Sequence, residues 1–254
     1  MEPPRVIPEY LKNIFTMNDT VPVYSWYFNQ SVECSPIEWS DLFIKGFINR
    51  FTIQNIKNKS HGSEPYGGAS ILHVNAFEKY IEFIKNKRIA VIGSHTPWLE
   101  AILINCGAKH VTTVEYNVPL CTSDIISTIS FNDFCESSET YDSVVSFSSI
   151  EHSGLGRYGD TLNPNGDCET MGEIYKKLNK RGLLFLGVPI GNDGLVWNAH
   201  RVYGKKRLPL LIKRFKEVEW LGCNKTYLDT CPIPVKGELP EHIQPLLVLS
   251  PIDK

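Results

Sequence analysis

The sequence predicts a doubly wound α/β fold: an open, mostly parallel seven-stranded sheet with helices on both faces, behind an irregular helical cap. Three observations carry this. The chain has 254 residues, enough for one large domain with an added segment. From Arg88 onward short apolar runs alternate with helical stretches. Runs such as "HVTTVEY" are β-branched on both faces, as strands buried in a parallel sheet are.

Residues 1–70 read as the cap segment. They are rich in proline and aromatics, with one helical stretch in "SPIEWSDLFIKGFINRFTIQ" and a loop in "HGSEPYGGAS". Residues 71–254 read as the sheet domain. It opens on a helix, "ILHVNAFEKYIEFIKNK", with apolar residues at helical spacing. "RIAVIG" is the first strand. "TPWLEAILINCG" is a helix, with Thr96 as N-cap, Pro97 at the first helical position and Gly107 just past the end. "HVTTVEY" is the second strand. "CTSDIISTI" and the following residues give a helix and a weak third strand. "YDSVVSFSS" is the fourth strand, "CETMGEIYKKLNKRG" a helix and "LLFLGVP" the fifth strand. "LPLLIKRF", "KEVEWLG" and "PLLVLSP" close the chain with one helix and two strands.

Hydrophobic residues make up 42% and charged residues 21%, a soluble globular composition. A net charge of -2 implies no broad basic face, so nucleic acid is not an expected partner. The local cluster "KKRLPLLIKRFK" reads as an amphipathic helix with a solvated cationic face. No apolar run approaches the ~20 residues that span a bilayer. The seven cysteines form no C-x-x-C pair, and no metal site is forced by any spacing. The N-terminus lacks a signal pattern, which points to the cytoplasm. Four N-x-[ST] sequons, at Asn18, Asn29, Asn58 and Asn224, exceed the roughly two expected by chance and point to a secretory lumen instead.

Ligands of such sheets sit outside the carboxyl ends of the strands. The first strand ends at Gly93, where "GSHTP" enters a helix whose free N–H groups face whatever is bound. The second ends at Glu115, placed to accept both hydroxyls of a ribose. The fourth runs into "IEHSGLGRYGD", which packs Glu151, His152, Arg157, Tyr158 and Asp160 between glycines. After the fifth strand, "WNAHRVYG" carries His200, Arg201 and Tyr203.

The stretches "RIAVIGS", "GAKHVTTVEYN", "YDSVVSFSSIEH" and "LNKRGLLFLGVP" resemble the class I S-adenosylmethionine-dependent methyltransferases, whose fold is Rossmann-like. More narrowly, "YGGAS", "GSHTPWLEA", "VTTVEYN", "EHSGLGRYGD" and "NAHRVYG" resemble the family called domain of unknown function 268. The superfamily resemblance implies S-adenosylmethionine as cofactor. It would be held by Gly93, Ser94 and His95 after the first strand and by Glu115 and Tyr116 after the second; the third-strand acid that touches adenine has no clear match, and Asp133 in "SFNDF" is the nearest candidate. The loop departs from the superfamily in having one glycine where two or three are usual.

On that reading the fourth strand ends beside the reactive methyl group. His152 is the first candidate for a base near neutral pKa, with His200 as the alternative and Glu151 and Asp160 as further catalytic carboxylates. A metal held by Glu151, His152, Asp160 and His200 is the less favoured use of the same groups. Tyr66, Arg157, Tyr158, Arg201 and Tyr203 would line the acceptor side. The expected activity is O-methylation of a polar small molecule or glycan. Two alternatives remain: a nucleotide or nucleotide-sugar enzyme on the same fold, and a catalytically inactive binding protein.

Overall fold

In the computed structural model, residues 2–30, 38–234, 238–252 and 254 are described. The N-terminal segment is more ordered than its composition suggests. Helix α1 spans Glu9–Phe15, strand β1 Val23–Ser25 and strand β2 Glu38–Trp39. Helices α2 (Asp41–Arg50) and α3 (Ile53–Lys57) are separate. The sequence suggested one helical stretch here, but Ser40 and Thr52 each accept a backbone N–H three residues on and start a new helix. The residues of that stretch before Glu38 lie outside the described ones. Helix α4 (Ala69–Lys79) follows, and Glu64 accepts the Gly68 and Ser70 N–H groups at its free start.

Strand β3 (Arg88–Ile92), helix α5 (Trp98–Asn105) and strand β4 (His110–Glu115) form the first βαβ unit. Helix α5 begins one residue later than its proline suggests, with Pro97 at the cap. It closes on Gly107 at φ +87° as expected. A short β5 (Leu120–Cys121) precedes β6 (Ile126–Ser130) and α6 (Phe131–Glu136). This reverses the expected order of helix and third strand. "ISTIS" is the strand, and the Ser130 hydroxyl accepts the Asp133 N–H to start the helix after it. Strand β7 spans Tyr141–Phe147, helix α7 Gly166–Lys177 and strand β8 Leu178–Gly187. Helix α7 ends sooner than read because Leu178 is extended and pairs with Tyr141.

Short strands β9 (Ile190–Gly191), β10 (Gly194–Trp197) and β11 (His200–Val202) follow β8. Helix α8 is a single turn, Leu208–Leu211. The expected cationic helix does not form, and Arg207 at its start is buried. Strand β12 (Phe215–Leu221), helix α9 (Tyr227–Thr230), β13 (His242–Ile243) and β14 (Leu246–Pro251) complete the chain.

The central sheet has seven strands in the order β12-β14-β8-β7-β3-β4-β6. Pairings from β8 to β6 are parallel, and β14 and β12 add antiparallel at one edge. Strand alternation divides the core in two. Ile89 and Val91 face α2, α4 and α5, through Ile44, Phe77 and Ile102. Ala90 and Ile92 face α6, α7 and α8, through Phe134, Ile174 and Leu211. Trp39, Ile44, Phe51 and Ile56 of the N-terminal segment are thus part of the sheet's own core. Strand β1 also joins β10 and β11 in a small second sheet, tying the chain start to the loop after β8. Among the described residues no helix is long and apolar enough to cross a membrane.

Candidate functional site

Chain order reverses between β3 and β7. The chain runs outward from β3 through β4 and β6, then returns to place β7 on the other side of β3. A cavity of about 590 Å³ opens there, at the carboxyl ends of the strands. That lies within the range of roughly 300–1,000 Å³ usual for small-molecule sites. The turn after β3 gives it Gly93, Ser94 and His95. The end of β4 gives it Glu115 and Tyr116, and the end of β7 gives it Ser148, Ser149 and His152. Gly93 is required by geometry: its φ is +78°, and a Cβ there would lie 1.9 Å from Ser149 Oγ.

Glu115 ends β4 as expected and lines the cavity. Its Oε1 accepts the Ser94 N–H at 2.5 Å and its Oε2 the Tyr116 N–H at 3.1 Å, so two backbone donors aim it. Carboxylate lone pairs remain for a ligand's hydroxyls. Burial raises its pKa, against the pull of those two N–H groups.

Beyond β7, Ser148 holds φ +54°, a left-handed conformation that a serine adopts at a cost. A short 3₁₀ turn over Ile150–His152 follows. His152 Nδ1 lies 2.6 Å from the Ala199 carbonyl. A carbonyl only accepts, so Nδ1 carries the proton and Nε2 is left as an acceptor. Burial first, and then the Arg157 charge, push His152 down to about 3. This corrects the expectation of an imidazole base near neutral pKa. Its neighbour Glu151 is pushed the other way by burial, up to about 7, and its Oε2 has no hydrogen-bond partner.

Tyr66, Tyr158 and Asp160 line the cavity, and Pro65 and Tyr66 bring the "EPYGGAS" segment to its wall. Asp160 is structural in its contacts. Its carboxylate accepts the N–H groups of Gly154 (2.7 Å), Gly156 (3.2 Å) and Tyr158 (3.3 Å), which folds the glycine turn back on itself. Arg157 reaches Gln30 Oε1 at 2.7 Å and stacks over Phe28 at 4.6 Å, behind the cavity wall. Among the described residues no group of three or more His, Cys, Asp or Glu is placed to hold a metal ion.

Besides Arg157, four expected placements differ. "WNAHRVYG" contains a strand rather than a loop or helix start, so its neighbouring side chains point to opposite sides. Arg201 is buried and donates to the carbonyls of Ser153 (2.6 Å), Glu151, Asn163 and Pro164 (3.3 Å each). Tyr203 is buried too, its hydroxyl donating to Asp167 at 3.0 Å. Neither lines the acceptor side. His200 stands behind His152, ring centroids 6.4 Å apart, and does not line the cavity. Asp133 is exposed on α6 and bonded to Ser130, away from the cavity.

Sequence reasoning also missed residues. Gln30, Ser148 and Ser149 line the cavity without any motif to mark them. Glu100, fully buried behind the Gly93 turn, had a readable signal: one acid inside the apolar run "WLEAILI".

The profile of the family described as "Caenorhabditis protein of unknown function, DUF268" matches residues 86–234, which include Gly93, Glu115 and the whole turn after β7. The chain belongs to that family. No curated protein matches the sequence at a significant level. Among solved structures, it is similar to 1,6-didemethyltoxoflavin-N1-methyltransferase of Burkholderia thailandensis. That structure was solved with 1,6-didemethyltoxoflavin and S-adenosylhomocysteine bound. Identity is 10%, the TM-score is 0.52, and the match covers 87% of this chain and 93% of that one. TehB of Haemophilus influenzae matches at 14% identity and TM-score 0.48, over 78% of this chain and 66% of its own. The PH0226 protein of Pyrococcus horikoshii OT3 matches at 14% and 0.48, over 75% and 93%. This member of the family therefore has the class I methyltransferase fold, the α/β architecture its strand order displays.

Proposed function

We propose that this protein is an S-adenosylmethionine-dependent methyltransferase that methylates oxygen on a polar small-molecule or glycan acceptor. One observation carries the reading: Gly93 and Glu115, ending adjacent strands, meet at one cavity and are tied together through Ser94. The site fits this cofactor. The Gly93 turn has no room for a side chain, and Glu115 is aimed by two N–H groups with lone pairs to spare. The bound cofactor supplies an electrophilic methyl group on a sulfonium.

The chain's own residues would do the rest. Glu115 would accept the ribose hydroxyls, and Ser94 and His95 would face the methionine part. Tyr66, Trp98 and Phe147 form an aromatic wall on one side of the cavity, which would shield the reacting atoms from water. His152 Nε2 would accept the acceptor's hydroxyl hydrogen and orient it. Glu151 Oε1 lies 3.7 Å from that nitrogen, and with the carboxyl pushed up to about 7 its ionised form, present from about that pH upward, would take up the released proton. Positioning accounts for most of the gain in an in-line displacement.

Calorimetric titration with S-adenosylmethionine and S-adenosylhomocysteine tests the cofactor. Absence of heat at high protein concentration would remove the reading. Transfer of a labelled methyl group to a panel of hydroxyl and amine acceptors then tests the oxygen specificity.

A further inference from the structure

Glu100 lies in the first turn of α5 with no exposed surface, directly behind the turn that follows β3. Its contacts bear on where its proton sits. Thr113 Oγ1 is 2.7 Å from Glu100 Oε1, and Ser94 Oγ is 3.0 Å from Oε2. Ser94 Oγ is also 2.9 Å from the carbonyl oxygen of Thr96. The backbone N–H of Ser94 is already given to Glu115.

A serine hydroxyl carries one hydrogen, and a carbonyl oxygen has none. The short contact between Ser94 Oγ and Thr96 O is therefore a hydrogen bond only when Ser94 donates. Given wholly to Thr96, that hydrogen leaves none for Glu100, and the 3.0 Å contact then needs a proton on Oε2. An ionised Glu100 would make Ser94 share its one hydrogen between Thr96 O and Oε2, which weakens both contacts. With the acid neutral, every group has one role. Thr113 donates to Oε1, Oε2–H donates to Ser94, and Ser94 donates to Thr96.

We infer that Glu100 carries a proton in the folded protein, as a neutral carboxylic acid, and that this proton locks the 93–96 loop against α5. Glu100 is thus a positioning residue: it acts through Ser94, whose backbone in turn aims Glu115. The groups facing it are Thr113 and Glu115 from β4, Ser94 from the loop and the Cys121 thiol from β5, none of them a cation. Burial, with the Glu115 charge adding to it, pushes its carboxyl up to about 7. What the loop holds rests on the proposed function, but the protonation of Glu100 does not.

The experiment uses the full chain and S-adenosylhomocysteine as probe. Affinity is measured by calorimetry one pH unit below and one above about 7, for the wild type and Glu100→Gln. The glutamine amide keeps a donor toward Ser94 at every pH. Every other residue of the cavity is common to the two proteins, so the ratio of their affinities isolates the change at position 100. The wild type should lose about threefold to tenfold in affinity relative to Glu100→Gln as pH rises, the equivalent of one hydrogen bond. Parallel profiles would overturn the inference. Infrared difference spectra between the two proteins give a second reading, without any ligand. A protonated-acid carbonyl band should be present in the wild type below pH 7 and missing from Glu100→Gln; identical spectra would also overturn it. If the probe fails to bind at any pH, the methyltransferase reading falls, and the infrared result alone decides Glu100.

Discussion

Glu151 and His152 are neighbours in sequence with Oε1 and Nε2 3.7 Å apart, yet they are not an ion pair. Burial pushes the carboxyl up to about 7 and the imidazole down to about 3. Between those values both are neutral, because each would lose hydration on charging and neither gains enough from the other. The pair is not a salt bridge, and Glu151 becomes a proton acceptor only as pH rises to about 7 and above.

That pair makes stability depend on pH in two opposite ways. The folded carboxyl of Glu151 titrates above its ordinary 4.5, so its contribution is lost as pH rises through about 7. The folded imidazole of His152 titrates below its ordinary 6.5, so its contribution is lost as pH falls toward about 3. Glu151→Gln should therefore melt higher than the wild type above pH 7, with the advantage vanishing in mild acid. Calorimetric melting curves across that range check it, and an advantage independent of pH would mean that the carboxyl is not the cause.

Glu115→Ala should weaken S-adenosylhomocysteine binding by at least about tenfold. It removes charge-assisted hydrogen bonds worth roughly 1.5–3 kcal/mol each. The fold should survive, since the two N–H groups it leaves sit at the cavity, open to water. Unchanged affinity with an unchanged circular dichroism spectrum would place the ribose elsewhere.

Asp167 is fully buried and holds Arg207 through two hydrogen bonds, at 2.6 and 2.9 Å, with Arg201 at 3.7 Å. Burial opposes its charge, but the two guanidiniums win and keep its carboxyl below the usual range. Asp167→Leu should cost about 3–5 kcal/mol in urea unfolding, because it leaves buried cations unpaired. Tyr203→Phe should cost less and leave affinity for S-adenosylhomocysteine unchanged. A selective loss of that affinity would return Tyr203 to the binding site.

The sequon residues Asn18, Asn58 and Asn224 are all exposed. If the protein matures in a secretory lumen, material from its native source should lose mass on enzymatic removal of N-linked glycans. Unchanged mass would argue for the cytoplasm.

The sequence by itself determined the alternation of strands and helices, the seven-stranded sheet and two strand ends that meet at the cavity. Gly93 and Glu115 were legible because a glycine turn and a terminal acid are local signals, read within one βαβ unit. The third strand was misplaced because "IISTIS" is short and amphipathic in either period, and its pairing with β4 decided the matter. Only the tertiary structure separated His152 from His200, Arg201 and Tyr203. All four stand in polar stretches that follow sheet strands, but β1 adds to β10, and β11 pairs with β10 in turn. That small sheet fixes a strand where a loop was read. Alternation then turns Arg201 inward onto backbone carbonyls and leaves His200 behind His152. Long-range pairing of this kind leaves no periodic trace in the residues that it orients. The proton on Glu100 is of the same kind: it follows from a count of hydrogens among Ser94, Thr96, Thr113 and Glu100, a count that exists only once the chain has brought them together.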